Sequence, residues 1–304
     1  MTDRFAAPTI LEDALILLGV DHAARPVAGG TDLVVAARQG RAPLPESIVA
    51  IDRIAELARH DIGPDALVLG ALVSHDWLAA SPDVRTSWTA VADASAIVGS
   101  PSTRGTGTIG GNLMNASPAA ETTGPLIVLG ASVTLLASGG VSRNVAVGEL
   151  ATAPGRTIAT PGELLTTIVV PRPPAGSGSA YIRLEYRRAM EIAVVGAAAI
   201  VTLGGDGRIA AARVALTSVA PTVVRAPTAE AALVGGAADP ATFRVAAEAA
   251  AAAARPIDDV RASADYRKAM LGVVVARALA AAAARARGES IPVPASRWAP
   301  GQEV

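Results

Sequence analysis

The chain of 304 residues contains no cysteine, only eight aromatic residues, a single lysine and three histidines. Without cysteine it offers no thiolate nucleophile, no disulfide and no cysteine ligand for zinc or an iron–sulfur cluster. The histidines, His22, His60 and His75, have no histidine partner at helical spacing, so we predict ordinary surface or packing residues and no metal site. A net charge of −1 without a basic run argues against a nucleic-acid-binding surface.

Hydrophobic residues make up 51% of the chain, but they do not indicate a membrane protein, because 69 of them are alanine. No run of about 18 apolar residues is apparent, and the longest candidate, residues 192–203, is interrupted by Gly196 and Thr202. The N-terminus lacks the basic and apolar segments of a signal peptide. We therefore expect a cytoplasmic protein with no transmembrane segment.

The first 175 residues contain short helical and strand-like segments punctuated by glycine and proline. Helical spacing of apolar residues predicts helices at 9–19, 33–38, 74–80 and 84–97. Short apolar runs predict strands at 25–28, 46–51, 67–69, 132–137, 141–147 and 164–170. A glycine-dense loop ends at Asn112, and the later strands, joined by Gly and Ser turns, indicate an antiparallel sheet.

The C-terminal part follows residues 171–179, which have no periodicity and are the best candidate linker. Apolar runs predict strands at 179–188, 193–203 and 208–219, with a strong hairpin signal at 204–207. Alanine-rich helical patterns follow at 227–234, 240–254 and 264–286. We expect a small sheet with a helical bundle, and an irregular tail at 289–304.

Two pairs of adjacent glycines are the first features that suggest chemistry. Residues 28–33 (AGGTDL) are called the first loop here, and residues 108–112 (TIGGN) the second loop. Adjacent glycines let backbone N–H groups share a concavity and let a ligand approach where a Cβ would collide, as a phosphate site requires. A glycine pair alone is more often a simple turn, whereas together the two loops could close on a pyrophosphate. No G-x-G-x-x-G follows a predicted strand, and no G-x-x-x-x-G-K-[ST] occurs.

Three segments resemble the FAD-binding medium subunit of the xanthine dehydrogenase and carbon monoxide dehydrogenase family of molybdenum hydroxylases. They are AGGTDL at 28–33, RGTGTIGGNLMNASPAAET at 104–122 and YRKAMLGVVVARAL at 266–279. The resemblance implies an α+β fold with a two-part FAD-binding module of the PCMH type. A small α/β subdomain would occupy 1–57, an antiparallel-sheet subdomain 58–175, and a C-terminal three-stranded sheet with a three-helix bundle 178–288.

The resemblance also implies non-covalent FAD, with the two loops on either side of its diphosphate. Glu121 would lie near the ribose or ribitol hydroxyls and Val98 against the ring system. Leu165 would contribute backbone, and Arg183 would direct its charge at the flavin, which favours a reduced, anionic flavin. The residues expected to bind FAD are Ala28, Gly29, Gly30, Thr31, Asp32, Leu33, Val98, Thr108, Ile109, Gly110, Gly111, Asn112, Glu121, Leu165 and Arg183.

Finally, the resemblance implies an oxidoreductase subunit that passes electrons from a partner's iron–sulfur clusters through FAD to a final acceptor. Its partners would be a large molybdopterin subunit and a small subunit with two-iron two-sulfur clusters, in a dimer of heterotrimers. A self-sufficient FAD-dependent oxidase or reductase of the same fold is the alternative, and a non-enzymatic alanine-rich scaffold is the third. No catalytic triad or acid–base pair is apparent, and this favours the electron-transfer subunit.

Overall fold

The computed structural model describes residues 4–187 and 189–298, and its N-terminal part is a small α/β unit. Its elements are β1 (Arg4–Ala6), α1 (Leu11–Val20), β2 (Arg25–Val27), α2 (Thr31–Arg38) and β3 (Ser47–Ala50). The three strands pair in parallel in the order β1-β3-β2. Ala14, Leu15 and Leu18 of α1 are buried in a core that includes Val49. The α/β expectation is confirmed, although β1 was not predicted because three residues carry no periodic signal.

The middle part is built around a five-stranded antiparallel sheet, as expected. Its strands are β4 (His60–Ile62), β5 (Ala66–Gly70), β6 (Ser132–Leu136), β7 (Ser142–Ala146) and β10 (Leu164–Pro171), with a separate hairpin of β8 (Ala151–Ala153) and β9 (Arg156–Thr157). The sheet order is β4-β5-β10-β6-β7. The helices are α3 (His75–Ala80), α4 (Pro82–Ser87), α5 (Thr89–Ile97), α6 (Pro101–Thr106), α7 (Ile109–Met114), α8 (Thr123–Val128) and α9 (Val147–Leu150), with 3₁₀ turns at Ala55–Ala58 and Ser138–Gly140.

Two predictions for this part, one of a helix and one of a loop, were wrong. The single helix expected at 84–97 is divided between α4 and α5 at Trp88, which has non-helical φ and ψ of −123° and 47°. The Trp88 side chain is fully buried, and its indole N–H donates to the carbonyl of Pro171, so a tertiary contact sets the break. The glycine-dense loop expected up to Asn112 contains the short helices α6 and α7.

The C-terminal part is a four-stranded antiparallel sheet covered by three helices. Its elements are β11 (Ser177–Leu184), β12 (Val195–Leu203), β13 (Ile209–Thr217), β14 (Val224–Arg225), α10 (Pro227–Leu233), α11 (Pro240–Ala253), α12 (Ala264–Ala286) and a 3₁₀ turn at Ala295–Arg297. The three-stranded prediction is corrected by β14, whose two residues pair with β13. The linker is also shorter than expected, because β10 ends at Pro171 and β11 begins at Ser177.

Helix α12 is long and apolar enough to cross a membrane by length and composition, contrary to the expectation that no segment reaches this limit. Half of its apolar stretch is buried inside the protein, and a single helix of this kind is weak evidence for a membrane span. Its alanines, including Ala281 and Ala282, belong to the core that also contains β11 and β12 residues. The buried half of the helix therefore packs within the fold of the described residues.

The close contact of α12 with β11 depends on a glycine, which gives a first prediction. A Cβ placed on Gly178 would lie 2.2 Å from the carbonyl oxygen of Ala282, so Gly178→Ala should push α12 away from the sheet. We expect a loss of about 2–3 kcal/mol in the free energy of unfolding. Gly272→Ala, also at α12, is the control, because a Cβ there meets nothing within 4 Å. It should stabilise the protein by about 0.5–1 kcal/mol in the same urea titration. Equal free energies of unfolding for the two variants would contradict the close packing of α12 against β11.

The predicted tail is only partly irregular. Among the described residues, those at 289–298 continue from α12 and end in the 3₁₀ turn, and Ala295 is fully buried. The Ala295 N–H donates to the Asp93 carboxylate of α5 over 2.9 Å. This segment therefore packs back onto the middle part of the chain, while residues 299–304 of the predicted tail lie outside the described residues.

Candidate functional site

The first loop leads into a helix start that no side chain of the described residues caps. Gly30 adopts a left-handed φ of 64° at the start of α2, and no side chain caps the helix there. The first N–H groups of a helix have no partner within the helix, so those of Thr31, Asp32 and Leu33 are left for another acceptor. An uncapped helix start after two glycines is suited to an anionic group.

The two loops approach one another, as a pair of diphosphate-binding loops must. A Cβ placed on Gly29 would lie 1.9 Å from the carbonyl oxygen of Thr106, at the end of α6. The next residue, Gly107, lies where its Cβ would be 3.6 Å from the Thr31 hydroxyl oxygen. Glycine at position 29 is therefore required by the contact between the first loop and the segment that leads into the second.

The second loop differs from the first, because the backbone N–H groups of residues 109–112 already have partners. The Gly110 N–H donates to the Ala71 carbonyl and the Gly111 N–H to the Thr108 hydroxyl, each over 3.0 Å. The Ile109 N–H donates to Val73 and the Asn112 N–H to the Thr108 carbonyl. The Ile109 side chain is itself buried in the core. Residues 109–112 are therefore the capped first turn of α7, and their own backbone N–H groups are not left for a phosphate.

Side chains supply the donors that the second loop retains. The Thr108 oxygen accepts from Gly111, so its hydroxyl hydrogen is free to donate outward. The Asn112 Oδ1 accepts from the Thr122 hydroxyl over 2.7 Å, which leaves the Asn112 amide hydrogens as donors. Gly111 is exposed and leaves space beside both groups.

Four of the expected residues line a small cavity of about 80 Å³. Ala28 of the first loop, Gly110 and Gly111 of the second, and Leu165 of β10 all line it. The sheet, the first loop and α7 thus meet at one place, although they are far apart in the chain.

Glu121 and Arg183 lie together in a buried ion pair. The Arg183 guanidinium binds one Glu121 oxygen, and the Tyr181 hydroxyl donates to the other over 2.5 Å. Glu185 pairs with the other side of the guanidinium, with its oxygen 2.7 Å from Arg183 Nε. Burial raises the pKa of the Glu121 carboxyl, and the Arg183 charge and the Tyr181 hydroxyl oppose that shift. Both Glu121 oxygens are thus engaged within the protein, and the Arg183 charge is balanced by two carboxylates.

Val98 lies where the middle part meets the C-terminal part. Its carbonyl accepts from the Arg104 guanidinium over 3.2 Å. The following residue, Gly99, has a φ of 48°, and its carbonyl accepts from the Met190 N–H over 3.1 Å. Val98 is half-buried at this junction, and Arg104 connects it to the segment that precedes the second loop.

Two further buried residues, Tyr181 and His75, belong to this region. Tyr181 is fully buried and holds Glu121, but a tyrosine in an apolar strand carries no local sign of that partner. His75 is also buried, and its backbone N–H donates to the Gly107 carbonyl over 3.2 Å. Burial, followed by the charge of Arg104, lowers the pKa of its imidazole to about 4. Among the described residues, no group of three or more His, Cys, Asp or Glu could hold a metal ion.

Comparison with protein-family models gives two matches that together cover nearly the whole chain. Residues 2–173 match the FAD-binding domain in molybdopterin dehydrogenase. Residues 180–282 match the CO dehydrogenase flavoprotein C-terminal domain. These two domains are those of a flavin-binding oxidoreductase subunit.

Curated relatives are similar over almost their full length. The carbon monoxide dehydrogenase medium chain of Afipia carboxidovorans is 35% identical over 282 residues, which are 92% of this chain and 96% of that protein. The 6-hydroxypseudooxynicotine dehydrogenase complex subunit alpha of Paenarthrobacter nicotinovorans is 33% identical, covering 90% of this chain and 95% of the relative. A solved chain of carbon monoxide dehydrogenase from Hydrogenophaga pseudoflava superposes with a TM-score of 0.88 at 34% identity, covering 94% of this chain and 98% of that one. The chain belongs to the family of FAD-binding medium subunits of molybdenum hydroxylases.

Proposed function

We propose that this chain carries FAD as the electron-transfer subunit of a molybdenum hydroxylase complex, receiving electrons from a partner's iron–sulfur clusters. The uncapped first turn of α2 beside the Thr108 and Asn112 donors is the observation that supports this most directly. These groups fit a diphosphate, because the first loop supplies backbone N–H donors and the second supplies a hydroxyl, an amide and space. When bound, FAD would supply a redox group that handles both one- and two-electron steps.

The residues around the cavity divide the proposed task of holding the cofactor between the two loops and β10. The first loop, Ala28 to Leu33, would bind diphosphate oxygens through its N–H groups. Thr108 and Asn112 would donate to the same group from the opposite side, and Gly111 would keep the cavity open. Leu165 would offer backbone at the cavity wall, where it already lies.

Glu121, Arg183 and Val98 are proposed for the flavin end of the site. The positive charge of Arg183 is balanced by the carboxylates of Glu121 and Glu185. The flavin would therefore not experience the field of a full positive charge from this guanidinium. Its field would instead change with the position of either carboxylate. Glu121 would affect the flavin indirectly, by orienting the Arg183 guanidinium. The next residue, Thr122, donates to Asn112 and so connects this ion pair to the second loop.

The partner subunits follow from the chemistry that this chain lacks. It has no cysteine, so iron–sulfur clusters require another chain. One relative is named as a complex subunit, and the Hydrogenophaga enzyme was solved in a form that lacks the Mo-pyranopterin moiety of the molybdenum cofactor. We infer a large molybdopterin subunit and a small subunit with two-iron two-sulfur clusters, as a dimer of heterotrimers in the cytoplasm.

Reduction of the assembled complex tests the proposal. The chain is co-expressed with the products of its neighbouring genes, and its flavin absorbance is followed after the molybdenum subunit's substrate is added. We expect bleaching of the flavin bands in the complex and none in the isolated chain. Turnover of an organic substrate by the isolated chain would instead support the self-sufficient oxidase or reductase.

A further inference from the structure

The cavity between the loops opens where two strands of the middle sheet separate. Strand β5 pairs only with the later part of β10. Ala71, the residue after β5, donates to the Thr166 carbonyl, but its own carbonyl accepts from Gly110 of the second loop. The chain after β5 thus turns toward α7. Among the described residues, the β5 side of β10 therefore has no strand partner at Leu164 and Leu165, which both line the cavity.

The pairing of β10 with β6 is irregular at the same place. Its register shifts between Leu165 and Thr167, as in a β-bulge. Successive residues of an antiparallel strand direct their N–H and C=O groups to opposite edges, so backbone groups at 164–165 face the side that β5 has left. Unpaired backbone groups require a partner, and a ligand in the cavity can supply one. We call this part of β10, residues 164–165, the open edge.

The residue just before the open edge, Glu163, also lines the cavity and is held by Arg143 of β7. The Arg143 guanidinium donates to both oxygens of the carboxylate, over 2.7 and 2.8 Å. The Thr160 N–H donates to the same carboxylate over 2.7 Å, and the Glu163 N–H donates to the Thr160 carbonyl over 3.0 Å. Arg143 also donates to the Ile158 carbonyl over 2.9 Å. These bonds together fix the turn that leads into β10.

The strand register places Arg143 in line with the open edge. Arg143 is opposite Leu135 of β6, and Leu135 is opposite Leu165 of β10. Strand β6 lies between β7 and β10. The bond from Arg143 to Glu163 therefore connects two strands that are not neighbours, and it limits how far the start of β10 can move relative to the sheet.

The ion pair is present at any working pH, and its effect is mainly geometric. The hydrogen bonds from Arg143, against the opposing effect of burial, lower the pKa of the Glu163 carboxyl to about 2. The side chains of Arg143 and Glu163 are 38% and 12% exposed, so the pair contributes little to stability. A bidentate pair nevertheless fixes the orientation of both groups.

The position of the cavity matches the nucleotide half of the proposed cofactor. Val98, Glu121 and Arg183, which are proposed for the flavin end, do not line it. The cavity adjoins both loops through Ala28 and Gly111. The diphosphate of FAD lies between its flavin and its adenosine. With the diphosphate at the loops and the flavin at the other end, the adenosine would therefore extend toward β10.

We propose that Arg143 and Glu163 are positioning residues for FAD, and that their ion pair holds the open edge of β10 in place against the adenosine side of the cofactor. The inference rests on the proposed function, because it requires FAD at the two loops. It deepens that function by naming the residues that fix one wall of the site. Neither residue takes part in electron transfer.

Displacement titrations test the proposal, with ADP as the probe for the nucleotide half. FAD fluorescence quenching gives the dissociation constant for FAD, and its recovery on addition of ADP gives that for ADP. We expect Arg143→Ala to raise both constants by about tenfold, the effect of weakening one or two hydrogen bonds. Unchanged constants, or a loss of FAD affinity with unchanged ADP affinity, would overturn the inference. A wild-type chain from which ADP displaces no FAD would also overturn it.

Arg225→Ala is the matched control for the loss of an ion pair. Arg225 binds both oxygens of Glu230, and the two side chains are 48% and 10% exposed, close to the values for Arg143 and Glu163. The pair joins β14 to α10, and neither residue lines the cavity. Both dissociation constants should therefore keep their wild-type values in this variant.

Two substitutions of Glu163 separate positioning from a general loss of structure. Glu163→Gln keeps an acceptor for Arg143 and Thr160, so both constants should stay within about threefold of wild type. Glu163→Ala removes the acceptor and should match Arg143→Ala, with an unchanged far-ultraviolet circular dichroism spectrum. Equal losses of affinity in the Gln and Ala variants would contradict the positioning role. A wild-type chain that binds no FAD, alone or with its partners, would instead refute the proposed function.

Discussion

The Gly111→Val variant is expected to fold normally and to lose FAD binding. Gly111 is exposed at the start of α7, and a Cβ placed there would contact only the Thr108 hydroxyl, at 3.0 Å. The valine side chain would fill the cavity of about 80 Å³ and cover the hydroxyl that we propose as a donor. FAD affinity should fall at least about a hundredfold, the effect of losing roughly two hydrogen bonds to a charged group. Fluorescence titration and far-ultraviolet circular dichroism measure the two properties separately.

Two neighbouring glycines provide the controls. Gly105→Val lies on the exposed helix α6, where a Cβ meets nothing within 4 Å, so FAD affinity should be unchanged. Gly110→Val should unfold the region, because a Cβ there would lie 2.6 Å from the Ala71 carbonyl oxygen. Wild-type FAD affinity in Gly111→Val would contradict the proposed site.

Removal of Arg285 is expected to cause the largest loss of stability. Asp93 of α5 is fully buried, and Arg285 of α12 binds both of its oxygens, at 2.6 and 3.0 Å. The N–H groups of Tyr181 and Ala295 also donate to this carboxylate. Asp93 therefore connects α5, β11, α12 and the C-terminal segment. Arg285→Ala leaves the carboxylate buried without its counter-ion, which should cost about 3–5 kcal/mol in urea unfolding.

The pH dependence gives this prediction a second readout. Burial raises the pKa of Asp93 in the folded chain, and Arg285 opposes that rise. Without Arg285 the pKa rises further above its unfolded value, so the variant is least destabilised at low pH and loses stability as the pH increases. The deficit of Arg285→Ala relative to wild type should therefore be smaller near pH 4.5 than near pH 8.

An exposed ion pair nearby is the matched control. Arg287 binds Glu289, and the two side chains are 44% and 50% exposed. Such pairs contribute at most about 1 kcal/mol, so Arg287→Ala should be nearly neutral. Equal losses of unfolding free energy in Arg285→Ala and Arg287→Ala would refute the proposal that the buried Asp93 carboxylate depends on its counter-ion.

Elements with a long periodic pattern could be predicted from the sequence. Helix α12 has the predicted bounds of 264–286, and the hairpin at 204–207 joins β12 to β13 as expected. Strands β1 and β14 have only three and two residues, so pairing with their neighbours rather than local pattern defines them. The break at Trp88 likewise depends on a contact with residue 171.

The site shows the same division between local and tertiary information. The glycines of both loops could be found because adjacent glycine is itself a local signal. The assignment of donors could not, because Ala71 and Val73 occupy N–H groups of the second loop from another part of the chain. The pairing of Glu121 with Arg183 also depends on how β11 packs against the middle part, across 62 residues of sequence. His75 is buried as a packing residue, one of the two outcomes expected of it, and its contact with Gly107 joins segments that are distant in sequence.

The flavin content of the purified protein tests the central claim most directly. The full chain is isolated alone and with its partner subunits, excess FAD is added and removed by gel filtration, and the visible spectrum is recorded. We predict the absorption bands of a bound flavin at one FAD per chain, released without covalent attachment when the protein is denatured. A colourless protein that gains no flavin, even in the assembled complex, would contradict the account.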